Sequence, residues 1–435
     1  MKLTIHRGAR TIGGTCIELE SDGWRLFLDL GLPLMHSDGT QFDFKEEDQS
    51  AAELIEQGIL PDLEGIYADQ LRDDRVAVLL SHAHRDHWGL MGWLHSEMPV
   101  WASPGTVRLL NVTALFVPTV RLPATIHEFK MWQPFRFGPF TITPYLADHS
   151  APDAASFLIE SDQGRRVFYS GDIRAHGRKG VVFERLLKDP PRDVDALLLE
   201  GTMLGRGGTQ KFADEQAIEE ELVQLARPQD RTIFFFCSSQ NIDRVCSAYR
   251  AAKRTDSIFV IDLYTACVLD QLNELFEHIP HPDWGPTIRV RYWRSHAQRL
   301  DEAGNLDLVY RLKKSQIKDE ELAANANRAI ILAKSNTLFD IEASRLPEKQ
   351  TIELVWSMWD GYLNGEDRIS RFAAAQGIEI KRIHTSGHAV IEDLQRLARA
   401  IQPAKVIPIH TLEPARYVDY FENVEIVKDG ESILL

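Results

Sequence analysis

The sequence predicts an α/β protein whose strand-rich outer parts flank a middle part of alternating strands and helices. In the first segment, apolar residues recur at every second position in short runs, as in Met1–Ile5 and Thr15–Glu20. Strands and amphipathic helices then alternate between residues 215 and 356. A histidine-rich cluster directly follows a buried strand, Arg75–Leu80, and this indicates a functional site at a sheet edge.

The first part is predicted to be built from short strands joined by turns and one longer excursion. The polar residues 36–72, which include Lys45–Asp48, are predicted as a loop that carries a helix at Ala51–Gln57. Period-two alternation indicates half-buried strands. The predicted strands are Met1–Ile5, Thr15–Glu20, Trp24–Leu30, Arg75–Leu80, Phe135–Leu146, Ala155–Glu160, Arg166–Tyr169 and Ala196–Glu200.

A glycine-rich break, Gly201–Gly208, separates this part from the alternating segment, which is typical of parallel βαβ units. The predicted strands there are Thr232–Phe236, Ile258–Asp262, Ile330–Leu332 and Thr351–Trp356, with helices at Glu215–Ala226, Ile242–Ala252 and Thr265–Phe276. The last part is predicted as strand Ile378–Ile383, helix Ile391–Ala400 and strand Lys405–Ile409. We therefore expect domain segments at 1–204, 205–374 and 375–435.

Composition excludes several classes of protein. The 435 residues carry a formal net charge of −15, so bulk attraction to nucleic acid or to an anionic membrane is not expected. The four cysteines have no short paired spacing, which argues against a disulfide framework and favours a reducing compartment. No apolar run is long enough to span a bilayer, and the first residues lack a signal-peptide core. We expect a cytoplasmic protein with no membrane partner.

The histidine-rich cluster has metal-ligand spacing. Residues i and i+2 leave a strand end on the same side, so His82 and His84 can bind one ion. The chain then turns, and Asp86 and His87 face a second position close by. Two later strand ends offer further ligands, His149 after strand Phe135–Leu146 and Asp172 after strand Arg166–Tyr169. Asp172 can bridge both ions, so the pattern predicts a dinuclear metal site.

These residues resemble the metallo-β-lactamase fold, an αββα sandwich that holds its metals at one edge of the sheets. The resemblance covers residues 1–200 and about 375–435. Asp29-Leu30-Gly31 is similar to the first motif of that fold. The resemblance implies that Asp29 supports the metal loop without binding the metal.

Later motifs resemble the β-CASP nucleases, which carry an α/β domain inserted into the metallo-β-lactamase fold. These motifs are Glu200-Gly201-Thr202, Thr385-Ser386-Gly387-His388-Ala389 and Ile407-Pro408-Ile409-His410. Ser-Gly-His-Ala is close to the ribonuclease J pattern, and Phe236–Arg244 and Trp356–Leu363 are also similar to that group. His410-Thr411-Leu412-Glu413 departs from the usual His-Gly-Glu, and the chain stops at Leu435. A shorter relative of ribonuclease J is therefore expected.

The resemblance implies a role for each matched residue. His82, His84 and His149 would bind one zinc ion, and Asp86, His87 and His410 the other, with Asp172 as the bridge. Asp86 also counts among the catalytic residues. His388, steered by the carboxylate of Glu200, is the candidate general acid for the leaving oxygen. The implied cofactors are two Zn²⁺ ions, with Mn²⁺ as the alternative.

Candidate substrate contacts lie in the middle part. Ser238 and Ser239 lead into a helix, where they can bind a phosphate or merely cap the helix. His384 can contact a phosphate or have a structural role. Between residues 287 and 318, eight basic residues stand against three acidic ones, and Tyr292 and Trp293 lie among them. Arg289, Arg291 and Arg294 are therefore candidates for RNA binding, with a solvated surface as the alternative.

The predicted function is hydrolysis of phosphodiester bonds in single-stranded RNA by a zinc-dependent ribonuclease. The sequence leaves open whether the enzyme acts as an endonuclease or a 5′ exonuclease. DNA cleavage is the first alternative. A small-molecule metallo-hydrolase, such as a lactonase or glyoxalase relative, is another, and a non-catalytic scaffold is a third. Oligomeric state is left open, with a dimer among the options.

Overall fold

The computed structural model describes residues 1–35, 42, 49–205 and 211–435, and the chain divides into two compact units. Unit 1 comprises Met1–Gly208 and Gly387–Leu435, and unit 2 comprises Thr209–Ser386. Residues 36–41 and 43–48 of the predicted loop, which include Lys45–Asp48, lie outside the described residues, as does the end of the glycine-rich break at 206–208.

The elements follow the sequence patterns closely. The strands are β1 (Lys2–Arg7), β2 (Cys16–Ser21), β3 (Trp24–Leu28), β4 (Val76–Leu79), β5 (Val100–Ala102), β6 (Ile126–Glu128), β7 (Phe135–Phe137), β8 (Phe140–Leu146), β9 (Ala155–Ser161), β10 (Arg166–Tyr169), β11 (Ala196–Glu200), β12 (Arg231–Phe236), β13 (Ile258–Asp262), β14 (Ile288–Arg291), β15 (Gln316–Ile317), β16 (Ala329–Ala333), β17 (Thr351–Trp356), β18 (Ile380–Arg382), β19 (Lys405–Ile409) and β20 (Ser432–Leu434). The helices are α1 (Ala51–Glu56), α2 (Arg85–Trp88), α3 (Pro104–Phe116), α4 (Gly180–Lys188), α5 (Glu215–Ala226), α6 (Ile242–Arg254), α7 (Leu263–Asn273), α8 (Arg294–Glu302), α9 (Leu306–Leu312), α10 (Asp319–Ala324), α11 (Thr337–Ser344), α12 (Arg368–Gln376) and α13 (Ile391–Ile401). Short 3₁₀ turns lie at Met91–Trp93, Lys313–Ser315, Ala326–Arg328, Asp360–Tyr362 and Pro414–Asp419.

Unit 1 is a sandwich of two sheets with helices on both outer faces, which confirms the predicted αββα architecture. One sheet has the order β20-β1-β2-β3-β4-β5-β6, and the other has the order β19-β11-β10-β9-β8-β7. Strand β4 shows why the alternation matters, because Ala77 and Leu79 pack between the sheets. Val76 and Val78 face the outer layer, where they share a core with residues of α3.

The second sheet of unit 1 is covered by α4 and α13. Phe183 and Leu186 of α4 pack with Leu394 and Leu397 of α13 against the outward side chains of β10 and β11. Strand β19 pairs in parallel with β11, which itself pairs in parallel with β10. Three strands of this sheet therefore end at the same edge.

Unit 2 contains the predicted parallel sheet. Its seven strands have the order β15-β14-β13-β16-β12-β17-β18, and every pair of neighbouring strands is parallel. Phe234 and Phe236 of β12 pack in one core with Phe339 of α11 and Ile369 of α12. The unit extends to Ser386, beyond the predicted end at residue 374, because β18 pairs with β17.

Several elements differ from the sequence prediction. The predicted strand Phe135–Leu146 is a hairpin of β7 and β8, because Gly138 turns the chain with φ +53°. Helices α2, α3, α4 and α8 to α12 were not predicted. The start of α3 carries a clear signal, since Ser103 caps the helix and Pro104 occupies its first turn.

Within the described part of the chain, no helix is both long enough and apolar enough to cross a membrane.

Candidate metal centre

The polar residues that follow the strand ends of unit 1 meet in one buried cluster. His82 and His84 follow β4, and Asp86 and His87 lie in α2 directly afterwards. From the other sheet, His149 follows β8, Asp172 follows β10 and His410 follows β19. The structure thus brings together all seven predicted metal ligands.

His82, His84 and His149 form a cluster of nitrogen donors. One ring nitrogen from each lies within 4.8 Å of the others. The ring centroids of His82 and His149 are 4.5 Å apart, and His84 lies 4.8 Å from each of them. Three imidazoles at this spacing are a suitable donor set for one zinc ion.

Asp86, His87, Asp172 and His410 form a second, mixed cluster with the same 4.8 Å limit between ligand atoms. His410 Nε2 lies 3.3 Å from Asp86 Oδ2, and His87 Nε2 lies 3.2 Å from Asp172 Oδ2. Carboxylate and imidazole donors together also suit zinc.

Asp172 lies between the two clusters. Its Oδ2 is 3.9 Å from His82 Nε2 and 3.2 Å from His87 Nε2. His82 Nε2 and Asp172 Oδ1 are buried, and neither atom forms a hydrogen bond with any described residue. Buried polar atoms are normally satisfied, so these two atoms fit a site that is completed by metal ions.

The pKa values of the three histidines in the nitrogen cluster are lowered, which favours metal binding. Burial, reinforced by the neighbouring histidines, holds the pKa values of His82 and His149 well below the usual range. Burial also lowers the pKa of His84 to about 4. At neutral pH these imidazoles are neutral, which is the form that binds metal.

In the mixed cluster, the acidic and basic side chains strongly shift one another's pKa values. Burial acts to raise the pKa of Asp86, but His87 and His410 lower it to about 2. Asp172 is likewise held well below its usual pKa, against burial, by His410, His87 and His388. Burial acts to lower the pKa of His87, but Asp172, Asp86 and Asp29 raise it well above the usual range. The carboxylates therefore attract a cation to this cluster.

Asp29 supports His87 from outside the cluster. Its Oδ2 lies 2.7 Å from His87 Nδ1, and it accepts hydrogen bonds from the Ser81 hydroxyl at 2.7 Å and from the Tyr169 hydroxyl at 2.5 Å. Asp29 adopts φ +62°, a left-handed conformation that is unusual for a residue with a side chain. Ser81 and Tyr169 were not predicted, because an isolated hydroxyl in a strand pattern carries no signal of its own.

His388 lies beside this centre. Its Nδ1 is 3.3 Å from Glu200 Oε1 and 3.7 Å from Asp172 Oδ2. Glu200 is fully buried, whereas the His388 side chain keeps 21% of its surface exposed. The structure therefore pairs the two predicted catalytic residues and leaves His388 accessible from outside.

The candidate phosphate contacts of unit 2 have different environments. Ser238 is exposed, but Ser239 is buried, and its hydroxyl contacts Thr265 Oγ1 at 2.6 Å and the Lys334 ammonium. The cap of α6 is Asn241 and neither serine, which corrects the capping alternative. His384 Nδ1 lies 3.2 Å from an Arg244 nitrogen, which favours the structural alternative for this histidine.

Two of the three proposed RNA-binding arginines form ion pairs within unit 2. Arg291 is buried, and its guanidinium pairs with Glu342 at 2.8 Å and with Asp319. Arg289 pairs with Glu321 at 2.6 Å. Both pair with carboxylates from later segments of unit 2, and their role in RNA binding stays a prediction. Arg294 is exposed and has no ion-pair partner among the described residues, so its role stays a prediction.

We expect Arg291→Ala to lower the free energy of unfolding by about 3 kcal/mol, since it leaves the buried Glu342 carboxylate unpaired. Denaturant titration of the full chain measures this. Arg294→Ala is the matched control and should stay within about 0.5 kcal/mol of the parent. Equal stability of the two variants would contradict the structural role of Arg291.

Two family models match parts of the chain. The beta-lactamase superfamily domain matches residues 67–227, and the Zn-dependent metallo-hydrolase RNA specificity domain matches residues 377–423. The first match includes six of the seven clustered ligands, and the second includes His388 and His410. Metal use by this fold is therefore supported by sequence and by geometry.

The chain is also similar to curated ribonuclease J proteins. It is 22% identical to ribonuclease J of Helicobacter pylori strain B128, over 94% of this chain and 56% of the relative. It is 24% identical to ribonuclease J of Mycobacterium tuberculosis, over 94% of this chain and 68% of the relative. The chain thus spans little more than half the length of the Helicobacter protein.

A solved structure shares the fold over the whole chain. It is a protein of unknown function from Enterococcus faecalis V583, with a TM-score of 0.77 and 22% identity, and the match covers 100% of this chain and 99% of that one. Together with the family models, this likeness confirms the predicted fold class. The chain has the metallo-β-lactamase fold and is similar to ribonuclease J proteins over most of its length.

Proposed function

We propose that this protein is a metal-dependent phosphodiesterase that cleaves single-stranded RNA. One observation carries the proposal: the His388–Glu200 pair lies directly beside two adjoining clusters of metal-ligand type. Asp172 links the mixed cluster to the His388–Glu200 pair, because its Oδ2 lies 3.2 Å from His87 Nε2 and 3.7 Å from His388 Nδ1. A group that can donate a proton therefore stands next to a site that can stabilise negative charge.

Charge balance supports two divalent ions. Asp29, Asp86, Asp172 and Glu200 place four buried carboxylates in and around the centre. Buried charges need compensation by opposite charge, and two Zn²⁺ ions would supply it. His82, His84 and His149 would hold one ion, Asp86, His87 and His410 the other, and Asp172 both. Metal analysis of the purified protein decides between zinc and manganese.

When bound, zinc ions supply Lewis-acid stabilisation of the charge that develops on a phosphate during hydrolysis. The remaining steps belong to the chain itself. Glu200 Oε1 lies 3.3 Å from His388 Nδ1, so the carboxylate can hold the proton on Nδ1 and stabilise the imidazolium form. The other ring nitrogen of His388 would then protonate the leaving 3′ oxygen.

RNA is the favoured substrate for two reasons. The matched domain at residues 377–423 is described as an RNA specificity domain, and the similar curated proteins are named ribonuclease J. We assign unit 2 to the inserted β-CASP domain, between the two segments of the metal-binding domain. A cytoplasmic location is consistent with these bacterial relatives and stays a prediction, as does the oligomeric state.

The test is a substrate panel under one set of conditions. The protein with zinc should cleave 5′-labelled and internally labelled single-stranded RNA, and product sizes distinguish endonuclease from 5′ exonuclease action. Single-stranded DNA and a lactone are the comparison substrates. Rapid DNA cleavage without RNA cleavage would favour the first alternative. Lactone hydrolysis without nuclease activity would overturn the proposal.

A further inference from the structure

Thr202 is a buried residue at the metal centre that none of the motifs discussed above assigns a role. It follows β11 directly, and its hydroxyl Oγ1 lies 2.8 Å from His410 Nδ1. Its backbone N–H donates to Glu200 Oε2 at 3.0 Å. One residue thus contacts a metal-ligand candidate through its side chain and the partner of His388 through its backbone.

The hydrogen bonds around His410 define the protonation of its ring. The backbone N–H of Gly13 donates to His410 Nε2 at 2.9 Å, so Nε2 carries a lone pair, and a metal ion bound there would replace this N–H as its partner. The proton of the neutral ring is therefore on Nδ1, where it is donated to Thr202 Oγ1. The Thr202 hydroxyl can in turn donate to the His410 carbonyl oxygen, 3.3 Å away. The same Nε2 lies 3.3 Å from Asp86 Oδ2, inside the mixed cluster.

His410 also has a strained backbone. It adopts φ +50°, a left-handed conformation that costs free energy for a residue with a side chain. Its N–H donates to Gly8 O at 2.7 Å, so its backbone is held on both sides. Thr202 contacts both the ring and the carbonyl of this residue, and it lies on a neighbouring strand end.

The two histidines of the mixed cluster are supported in the same way. His87 Nδ1 faces the Asp29 carboxylate at 2.7 Å, and His410 Nδ1 faces the Thr202 hydroxyl at 2.8 Å. In metal sites, a partner on one ring nitrogen fixes the tautomer and orientation of the other, and its loss costs 10- to 100-fold in metal affinity.

We propose that Thr202 is a positioning residue for the metal centre. Its hydroxyl holds His410 in the tautomer and orientation that present Nε2 to a metal ion. The inference rests on the proposed metal-dependent function. It concerns only the orientation of His410 for metal binding. Measurement of metal affinity therefore tests it, even if the substrate proves to be another compound.

The experiment compares Thr202→Val with Thr202→Ser in the full chain. Valine keeps the shape but removes the hydroxyl, and serine restores the hydroxyl. Competition with a chromophoric chelator should show zinc binding about 10- to 100-fold weaker at one of two sites in Thr202→Val, and near-parental binding in Thr202→Ser. Thr113→Val is the matched control, since it removes a buried hydroxyl bond to Leu109 O, at 2.7 Å, outside the centre.

Thermal unfolding separates this role from a general role in folding. In EDTA, Thr202→Val and Thr113→Val should unfold near the parental temperature, and with zinc only Thr202→Val should lose part of the zinc-induced increase. Equal losses with and without zinc would assign the hydroxyl to folding and overturn the proposal. Parental zinc affinity in Thr202→Val would also overturn it.

A measurement on the parental chain needs no variant of Thr202. Nitrogen-15 histidine spectra in EDTA, assigned by comparison with His410→Gln, should show the proton on Nδ1 of His410. A proton on Nε2 instead would contradict the inference, whatever the outcome of the RNA assay. Absence of RNA cleavage with the expected tautomer and zinc affinities would count against the proposed function alone.

Discussion

Replacement of His388 by alanine should leave the metal content unchanged and reduce RNA cleavage by about 10²- to 10⁴-fold, the usual loss when a general acid is removed. The expectation rests on two distances from His388 Nδ1, 3.3 Å to Glu200 and 3.7 Å to Asp172. Single-turnover cleavage of a labelled RNA measures the loss, and metal analysis is done on the same preparation.

The metal analysis matters because His388 also has ligand geometry. Its ring nitrogen lies within 4.8 Å of ligand atoms of Asp172, Glu200 and His410. If purified His388→Ala contains less metal than the parental protein, the residue is a ligand, and the acid role is wrong. His127→Ala, at an exposed histidine of β6, is the control and should retain metal and activity. A parental rate in His388→Ala would also exclude the acid role.

Asp172→Asn should cause the largest loss of RNA cleavage. The substitution keeps the shape of the side chain but removes the charge that faces His82, His87 and His388 at 3.9, 3.2 and 3.7 Å. Metal ions contribute several kcal/mol to transition-state stabilisation, so hydrolysis should fall by about 10³-fold or more. Metal content should also fall below two ions per chain.

Asp162→Asn is the matched control for this variant. Asp162 forms an exposed ion pair with Arg136, at 2.8 Å, and the same substitution there should change neither metal content nor rate. Two ions per chain and parental cleavage in Asp172→Asn would mean that the bridge has been assigned to the wrong residue. Circular dichroism of both variants checks that the fold is retained.

The fold and the clustering of the candidate ligands were largely predictable because their signals are periodic or local in sequence. The continuous apolar run of β4 identified a buried strand, and His82, His84, Asp86 and His87 stand within six residues directly after it. His149 and Asp172 could be predicted because each follows a strand. His410 was assigned through the resemblance of its motif, and it lies at the same edge because β10, β11 and β19 are parallel.

The partners of individual side chains could not be predicted in the same way. The basic segment at 287–318 indicated a nucleic-acid surface, but its charge is balanced by Glu321 and Glu342, which follow it in the chain. Thr202 and Tyr169 act through single hydroxyls whose partners are His410 and Asp29, more than a hundred residues away. Such pairs depend on tertiary structure and leave no pattern in local sequence.

The position of β19 affects the order in which the centre is completed during protein synthesis. His82, His84 and His149 leave the ribosome early, whereas His410 follows only after the whole of unit 2 has been translated. Domains generally begin to fold as they emerge, and at about 5–20 residues per second the synthesis from His149 to His410 takes about 13 s or longer, so the nitrogen cluster can form before His410 is made. The nascent chain could therefore capture its first metal ion before the strand that completes the second cluster has been made.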